Sequence, residues 1–305
     1  MNEMTDNEYK KLMYDNTVSA IAIMKRIEIP KSVYKYRKFV NPYNLTEETY
    51  WEDALDGKMY FSLPAYFNRN DSDDCVLEYD VEKCKEKLLE LIGYKKDCMY
   101  VLDEVPYKET WNEFTNLIEN MIRGNIRIGC FTTVNPDEVF MWEDRNFGSE
   151  HQGFCIEYEV DEQYFYPNDM VFLKVLYEKE HVDMTDVVMD VMDYCYKQDD
   201  IALHHVFCSN AYNFALCKKN NYKGEEEWRI IVVNRRWESY FDIDGESKKD
   251  FANKMKAIYF GADSEQLEFY DDYKKYALEV SMQNKIPLYQ MKRNSEGGLF
   301  KVRIY

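Results

Sequence analysis

The sequence predicts an α+β fold, a mixed or antiparallel central sheet with flanking helices. Three observations carry this. Strand-like and helix-like segments are interspersed without the regular βαβ repeat of a parallel sheet. Hydrophobic residues fill 46% of the 305 positions and aromatics 16%, ample for a core. Gly and Pro number only 11 and 7, too few for a β-sandwich built from many tight turns. With no linker, repeat or low-complexity segment, the expected organisation is an amphipathic helix over residues 1–30 and one α+β domain over 31–305.

The elements follow in order. Thr5-Asp6-Asn7-Glu8 has the capping-box pattern, and apolar residues recur at Tyr9, Met13, Ala20, Met24 and Ile27. This predicts one long helix, stopped before Pro30 and packed on the domain or on a second copy. Ser32 to Val40 is strand-like, Asn44–Glu47 caps a short helix ending at Asp56-Gly57, and Met59–Ser62 is a second strand closed by Pro64. Asn68 to Asp74 is a polar loop. Helices follow near Val81–Ile92 and Lys108–Arg123, with Gly93 and Gly124 at their C-terminal ends. Ile126–Phe131, Gly153–Val160 and Val171–Tyr177 are strands, and a helical insert spans about 185–218. Glu225–Val233 and Ala257–Gly261 read as buried strands. Asp263-Ser264 caps a helix reaching about Asn284, and Pro287–Met291 and Phe300–Ile304 close the chain.

A formal charge of −18 sets the surface against phosphate backbones, which excludes general nucleic-acid and membrane-surface binding. A local basic pocket for a small anion stays open. Eight dispersed cysteines without a CxxC pair do not suggest zinc; reduced thiols in a cytoplasmic protein account for them. No signal-peptide pattern opens the chain, and no apolar run approaches the ~18 residues of a membrane span.

The chemistry concentrates at Glu225-Glu226-Glu227-Trp228-Arg229, three carboxylates at the mouth of a buried strand, where neighbouring acids raise one another's pKa. Glu226, out of phase on a strand, faces away from its two neighbours. Asp71, Asp73 and Asp74 lack the glycine and terminal Glu of an EF-hand, so no metal is predicted there. His204-His205 falls short of the i, i+4 spacing of a metal pair on a helix. His151, in the loop before a strand, is a candidate acid, base or clamp. Trp142 and Trp228 are candidate stacking walls. Phosphate-binding glycine loops and GxSxG elbows are missing, which counts against P-loop ATPases, Rossmann dehydrogenases and α/β-hydrolases.

An ordered set of segments resembles a bacterial and phage family known as a domain of unknown function, numbered 2971. These are Tyr34–Arg37, Met59–Pro64 with Phe67-Asn68, Gly129–Thr132, Met141-Trp142, Gly153–Tyr158, Glu225–Ile230 and Ile258–Gly261. The family continues Asn-Asp-Pro-Phe after the second strand, where this chain reads Asn68-Arg69-Asn70-Asp71. More distantly, an Arg on the first strand, an aromatic and a Ser on the second and a Glu opening a late strand resemble ADP-ribosyltransferase-like enzymes. That likeness implies NAD as substrate and an ADP-ribosyltransferase-like core. Arg37 would hold the pyrophosphate or ribose, Tyr60 and Ser62 the nicotinamide ribose and ring, with Trp142 as a further wall. Glu227 would stabilise the sugar cation as nicotinamide leaves, with Glu225 as accessory acid. It requires Arg37, Tyr60, Ser62 and Glu227 to converge in one cleft. Two other functions are weighed beside it. One is a non-catalytic binding protein that meets a protein partner or a second copy through its acidic surface and N-terminal helix. The other is a metal-dependent hydrolase using Asp71, Asp73, Glu225 and Glu227.

Overall fold

The computed structural model describes residues 4–13, 20–39, 50–57, 59, 61–70, 74–93, 105–124, 126–145, 147–161, 165, 170–197, 212–233 and 254–305. The N-terminal capping box forms as expected: the Thr5 amide donates to Glu8 Oε2 at 2.9 Å and the Glu8 amide to Thr5 Oγ1 at 3.3 Å. The described parts of the expected long helix are α1 (Asp6–Met13) and α2 (Ala20–Met24). Tyr9, Met13, Ile23 and Met24 are buried in the chain's own core, and the Tyr9 hydroxyl donates to the Lys174 carbonyl at 2.7 Å. Among the described residues of the stripe, Tyr9, Met13 and Met24 are therefore already covered within the chain.

Next come β1 (Ser32–Arg37), α3 (Tyr50–Leu55), α4 (Pro64–Asn70), α5 (Val81–Leu91), α6 (Val105–Gly124), β2 (Ile126–Thr132), α7 (Phe140–Glu143), β3 (Phe154–Glu159), β4 (Met170–Lys174) and β5 (Leu176–Glu178). Then follow α8 (Thr185–Lys197), β6 (Cys217–Lys219), β7 (Glu227–Val233), β8 (Met255–Phe260), α9 (Tyr270–Asn284), β9 (Leu288–Arg293) and β10 (Leu299–Arg303). Several expectations change. Ser62 makes an isolated bridge to Ile128 rather than ending a strand, and residues 68–70 belong to helix α4 rather than to a loop. Cys217–Lys219 is a strand within the expected helical insert, and Glu225 ends a short 3-10 turn, so that β7 begins at Glu227. Pro64 opens helix α4 rather than only closing a strand, since a ring-fixed φ suits the first helical turn. Asp263 does not cap through its side chain; it forms a two-bond pair with Arg293 at 2.6 and 2.7 Å.

Eight strands form one sheet in the order β10-β9-β8-β3-β1-β2-β7-β4, and β5 pairs with β6 in a small separate ladder. Within the large sheet β8 and β9 run parallel and the other neighbours antiparallel, the mixed sheet the sequence predicts. On one face, Phe131, Phe172 and Trp228 pack together, with ring centroids 5.0 Å apart for Phe172 and Trp228. Helix α9 covers the same face beyond β3, where Phe39 stacks on Tyr273 at 4.3 Å. The opposite face carries a second cluster around Tyr36 and Trp142, packed edge to face at 5.0 Å.

The join between β1 and β2 positions everything that follows. β1 runs against β3 along its whole length, from Ser32↔Glu159 to Arg37↔Phe154. It meets β2 only at Tyr34↔Thr132. Beyond that point the strands part, and other groups satisfy β2. The Lys35 ammonium donates to the Cys130 carbonyl at 2.7 Å, and Ser62 exchanges two 2.9 Å backbone bonds with Ile128.

Candidate functional site

The late glutamates reach the sheet through a strained turn. Glu226 holds φ 44, a left-handed conformation that costs a non-glycine residue about 1–2 kcal/mol. Its carboxylate, exposed, accepts from Thr133 Oγ1 at 2.7 Å, and Thr132 Oγ1 donates to the Glu225 carbonyl at 2.5 Å. Glu226 points to solvent as expected, though by the left-handed turn before β7 rather than by strand alternation, while Glu225 and Glu227 are buried at 7% and 6% exposure.

Both buried carboxylates meet Lys218, whose Nζ lies 2.6 Å from Glu225 Oε2, 3.5 Å from Glu227 Oε2 and 3.9 Å from Asp74 Oδ2. Two residues along β7, Arg229 is on the same face as Glu227 and fully buried. Its Nε and Nη2 donate to Glu227 at 2.8 and 3.1 Å, and Nη1 and Nη2 to Asp74 at 2.9 and 2.7 Å. Nη1 also reaches the Ala215 carbonyl at 2.8 Å. One guanidinium is clamped between two carboxylates in fork geometry.

The environment separates the acids. Burial pushes the Glu227 carboxyl up, but Arg229 and then Lys218 outweigh it and hold it below the usual range. Asp74 behaves alike, burial being overcome by Arg229. At Glu225 burial wins over Lys218, and the charge of Glu227 adds to it, so its pKa is raised. The strand mouth therefore carries two carboxyls whose pKa values are shifted in opposite directions, Glu227 down and Glu225 up. Burial first, then Glu227, drives the Cys130 thiol well above its ordinary pKa; burial does the same at Cys75, with Asp74 adding, so neither thiol is poised as a nucleophile.

The predicted site residues are only partly gathered. The register pairs Tyr34 with Thr132 and Thr132 with Glu227. Alternation then sets Cys130 and Arg229 on the Glu227 face, and Lys35, Arg37, Phe131 and Trp228 on the other. Arg37 thus lies across the sheet from Glu227, and the two do not share one face of a cleft. Ser62 sits beside β2 at Ile128, with its backbone committed to that bridge. Tyr60 lies outside the described residues. Trp142 has 0% exposure and donates its indole N–H to the Pro136 carbonyl at 2.8 Å, so it is a core anchor rather than an open stacking wall. Trp228 is likewise packed, on Phe172.

Other candidates resolve similarly. Asp74, read in the sequence as part of a solvated loop, is a buried partner of Arg229; Asp71 and Asp73 lie outside the described residues, as do His204 and His205. In the metal-hydrolase set, Glu225 and Glu227 are occupied by Lys218 and Arg229. His151 is buried, with Nδ1 lacking a hydrogen-bond partner, in a loop where Ser149, Glu150 and His151 hold φ 51, 53 and 67. The sequence missed Lys218, Asp74 and the clamping role of Arg229. The i, i+2 spacing of Glu227 and Arg229 on a strand was the available signal.

The sequence profile of a family described as "Protein of unknown function (DUF2971)" matches residues 141–230. That span takes in Lys218, Glu225, Glu227 and Arg229 and supports the resemblance to this family. No curated protein and no solved structure matches the chain. Among the described residues, no helix is long and apolar enough to cross a membrane.

Proposed function

We propose that the chain is an NAD-using enzyme of ADP-ribosyltransferase-like type that cleaves the bond between nicotinamide and ribose. The observation that carries this is the pair of buried carboxyls at the mouth of β7, Glu227 clamped by Arg229 with its pKa drawn down and Glu225 on Lys218 with its pKa raised by burial. Two adjacent carboxyls pushed apart in this way suit paired acid and base roles. As the glycosidic bond breaks, its electron pair leaves with nicotinamide and positive charge grows on the ribose. A fixed carboxylate at Glu227 stabilises that charge, and Glu225 in its ionised form takes the proton of the incoming acceptor as the acceptor oxygen bonds to the ribose carbon. The four-residue convergence that the resemblance requires is not met, because Arg37 lies across the sheet from Glu227, and the proposal rests on the two carboxyls alone. Cys130, at the parting of β1 and β2, lies within electrostatic reach of Glu227, Arg229 and Lys35. A reduced, cytoplasmic setting in bacterial or phage conflict belongs to the same proposal.

A second function has its own observation. Arg229 engages both oxygens of Glu227, the arrangement of a structural lock in a non-catalytic binding protein. Nicotinamide release from NAD separates the two. On the enzymatic proposal Glu227→Gln lowers turnover by about 10²–10³-fold, at a temperature where its melting curve shows a folded chain. A wild-type chain that releases no nicotinamide, or a folded variant with unchanged turnover, leaves the lock as the better account.

A further inference from the structure

We infer that the free edge of β10 is a docking site for an acidic, extended segment of a partner protein, which adds to the sheet as an antiparallel strand. The first observation is where the charge lies. Residues 285–305, which hold β9 and β10, carry five bases and one acid, whereas the rest of the chain carries 34 and 56. A basic hairpin on an acidic body attracts what the body repels.

The second observation is the contrast between the two ends of the sheet. The β4 end is closed by the chain's own N-terminal helices: the Phe172 amide donates to Met24 Sδ at 3.2 Å, and the Lys174 carbonyl accepts from the Tyr9 hydroxyl. β10, at the other end, has β9 on one side and no described strand on the other. The hairpin bonds fix which groups are left over. The Asn294 amide donates to the Gly298 carbonyl at 2.9 Å and the Ile304 amide to the Leu288 carbonyl at 2.8 Å. In an antiparallel ladder bonded pairs alternate with unbonded ones, so Phe300 and Val302 also turn their backbone groups to β9. Leu299, Lys301 and Arg303 turn theirs outward. Such an edge is a template for another strand.

The side chains beside the edge set the chemistry of the partner. Val302 pairs with Gln290, which accepts from Tyr270 of α9, so Phe300 and Val302 project to the α9 face. They are 45% and 42% exposed. Lys301 and Arg303 are exposed on the opposite face. The Lys301 ammonium rests over the Tyr259 and Tyr289 rings at 5.7 and 5.4 Å, and Arg303 Nε donates to the Tyr305 carbonyl at 2.8 Å. A strand laid along β10 therefore meets cations on one face and apolar groups on the other, which matches alternating acidic and apolar residues. A second copy of β10 is a poor match, because pairing about a two-fold axis at Lys301 sets like charges opposite each other. The charges that reject a second copy select an acidic strand.

Five strands separate β10 from β7, and the inference does not rest on the proposed NAD chemistry. The test is fluorescence anisotropy of the full chain with a labelled peptide in which Glu and Val alternate. Saturable binding is expected, weakening as salt is raised. In antiparallel addition the Glu residues lie opposite Lys301 and Arg303 and share their outward hydrogen bonds. N-methylation of the Glu amides therefore abolishes binding, and N-methylation of the Val amides leaves it unchanged. Lys301→Glu, shown to be folded by its melting curve, weakens affinity about tenfold or more. A peptide of the same composition with all Glu preceding all Val binds far more weakly. Absence of saturable binding, or binding that survives methylation of the Glu amides, overturns the inference. So does equal affinity for the block peptide or for an oligothymidylate, the mark of a general polyanion site. Light scattering that finds the chain alone dimeric, and monomeric as Lys301→Glu, would make a second copy the occupant and overturn it too.

Discussion

Replacing Arg229 by Met keeps an unbranched apolar stem and removes the guanidinium clamped between Asp74 and Glu227. Both carboxylates are left at 4% and 6% exposure, with Lys218 at 3.9 and 3.5 Å as their remaining cation. Removing one partner from a buried pair costs about 3–5 kcal/mol. The two pairs share one arginine and do not add, so a single loss of about 4 kcal/mol is expected. For a chain of this size that lowers Tm on the order of 10 °C. Urea unfolding followed by tryptophan fluorescence at pH 7 measures it, with an unchanged m-value marking an effect on stability alone. The deficit also depends on pH. Asp74 and Glu227 have folded pKa values below their usual 3.8 and 4.5, so their stabilisation is full above those values and lost as pH falls through the depressed ones. In the variant the stranded carboxyls protonate readily, and the gap to wild type narrows in acid. Glu225, raised instead, contributes with opposite sign: its stabilisation is present below 4.5 and lost as pH rises through its folded value. A loss under about 1 kcal/mol at pH 7, or a gap that widens toward acid, would refute a buried clamp.

Further outcomes follow from the same structure. Lys35→Met is expected to stabilise the chain at pH 7. The wild-type ammonium is disfavoured in the fold, so the stability it forfeits returns as pH rises, and the advantage of the variant shrinks by about 1 kcal/mol per unit above pH 7. Parallel urea titrations at pH 7 and 8.5 would show no such convergence if the ammonium were solvated. Gly261→Ala places a Cβ 2.2 Å from the His151 carbonyl oxygen, and Gly153→Ala places one 2.4 Å from that of Arg37. Each is expected to cost about 3 kcal/mol or more, and a calorimetric Tm within error of wild type would show that the loop yields freely. Lys285, exposed at φ 56 beyond α9, is a site where Gly relieves a left-handed strain and raises stability by about 0.5–1 kcal/mol; a lower Tm would locate a side-chain role there.

Much of the fold was legible because its signals are local. The Thr5–Glu8 capping box, the buried run Ile230–Val233 and the strands around Ile128 and Ile258 announce themselves in short windows. The mixed sheet followed from interspersed elements. Glu225 and Glu227 were visible as acids at a strand mouth, and Glu226 as the one turned outward. What could not be read was anything set by pairing across the chain. Asp74 looked like a member of an acidic loop because nothing near it reveals that Arg229, 155 residues later, comes to lie against it. Arg37 was grouped with Glu227 by order along the chain, whereas the face it occupies depends on the register Tyr34↔Thr132↔Glu227. A shift of one residue there would reverse the outcome. Trp142 was read as a wall because large aromatics serve equally in cores and sites, and only its burial beside Tyr36 decides.

The single-position join of β1 and β2 bears on how the chain is made. β1 is paired along its length only with β3, more than a hundred residues downstream, and β2 with β7, nearly a hundred further on than itself. During synthesis the first two strands leave the ribosome with both edges open, and local contacts cannot close them. Docking of β7 then sets Arg229 between Asp74 and Glu227 in the same event that completes the β2 side of the sheet. Such a long-range closure is slow. A nascent or truncated chain ending before residue 227 therefore has half a sheet and no ionic centre. Whatever chemistry resides there switches on only when translation has passed the last of its glutamates and the arginine that holds it.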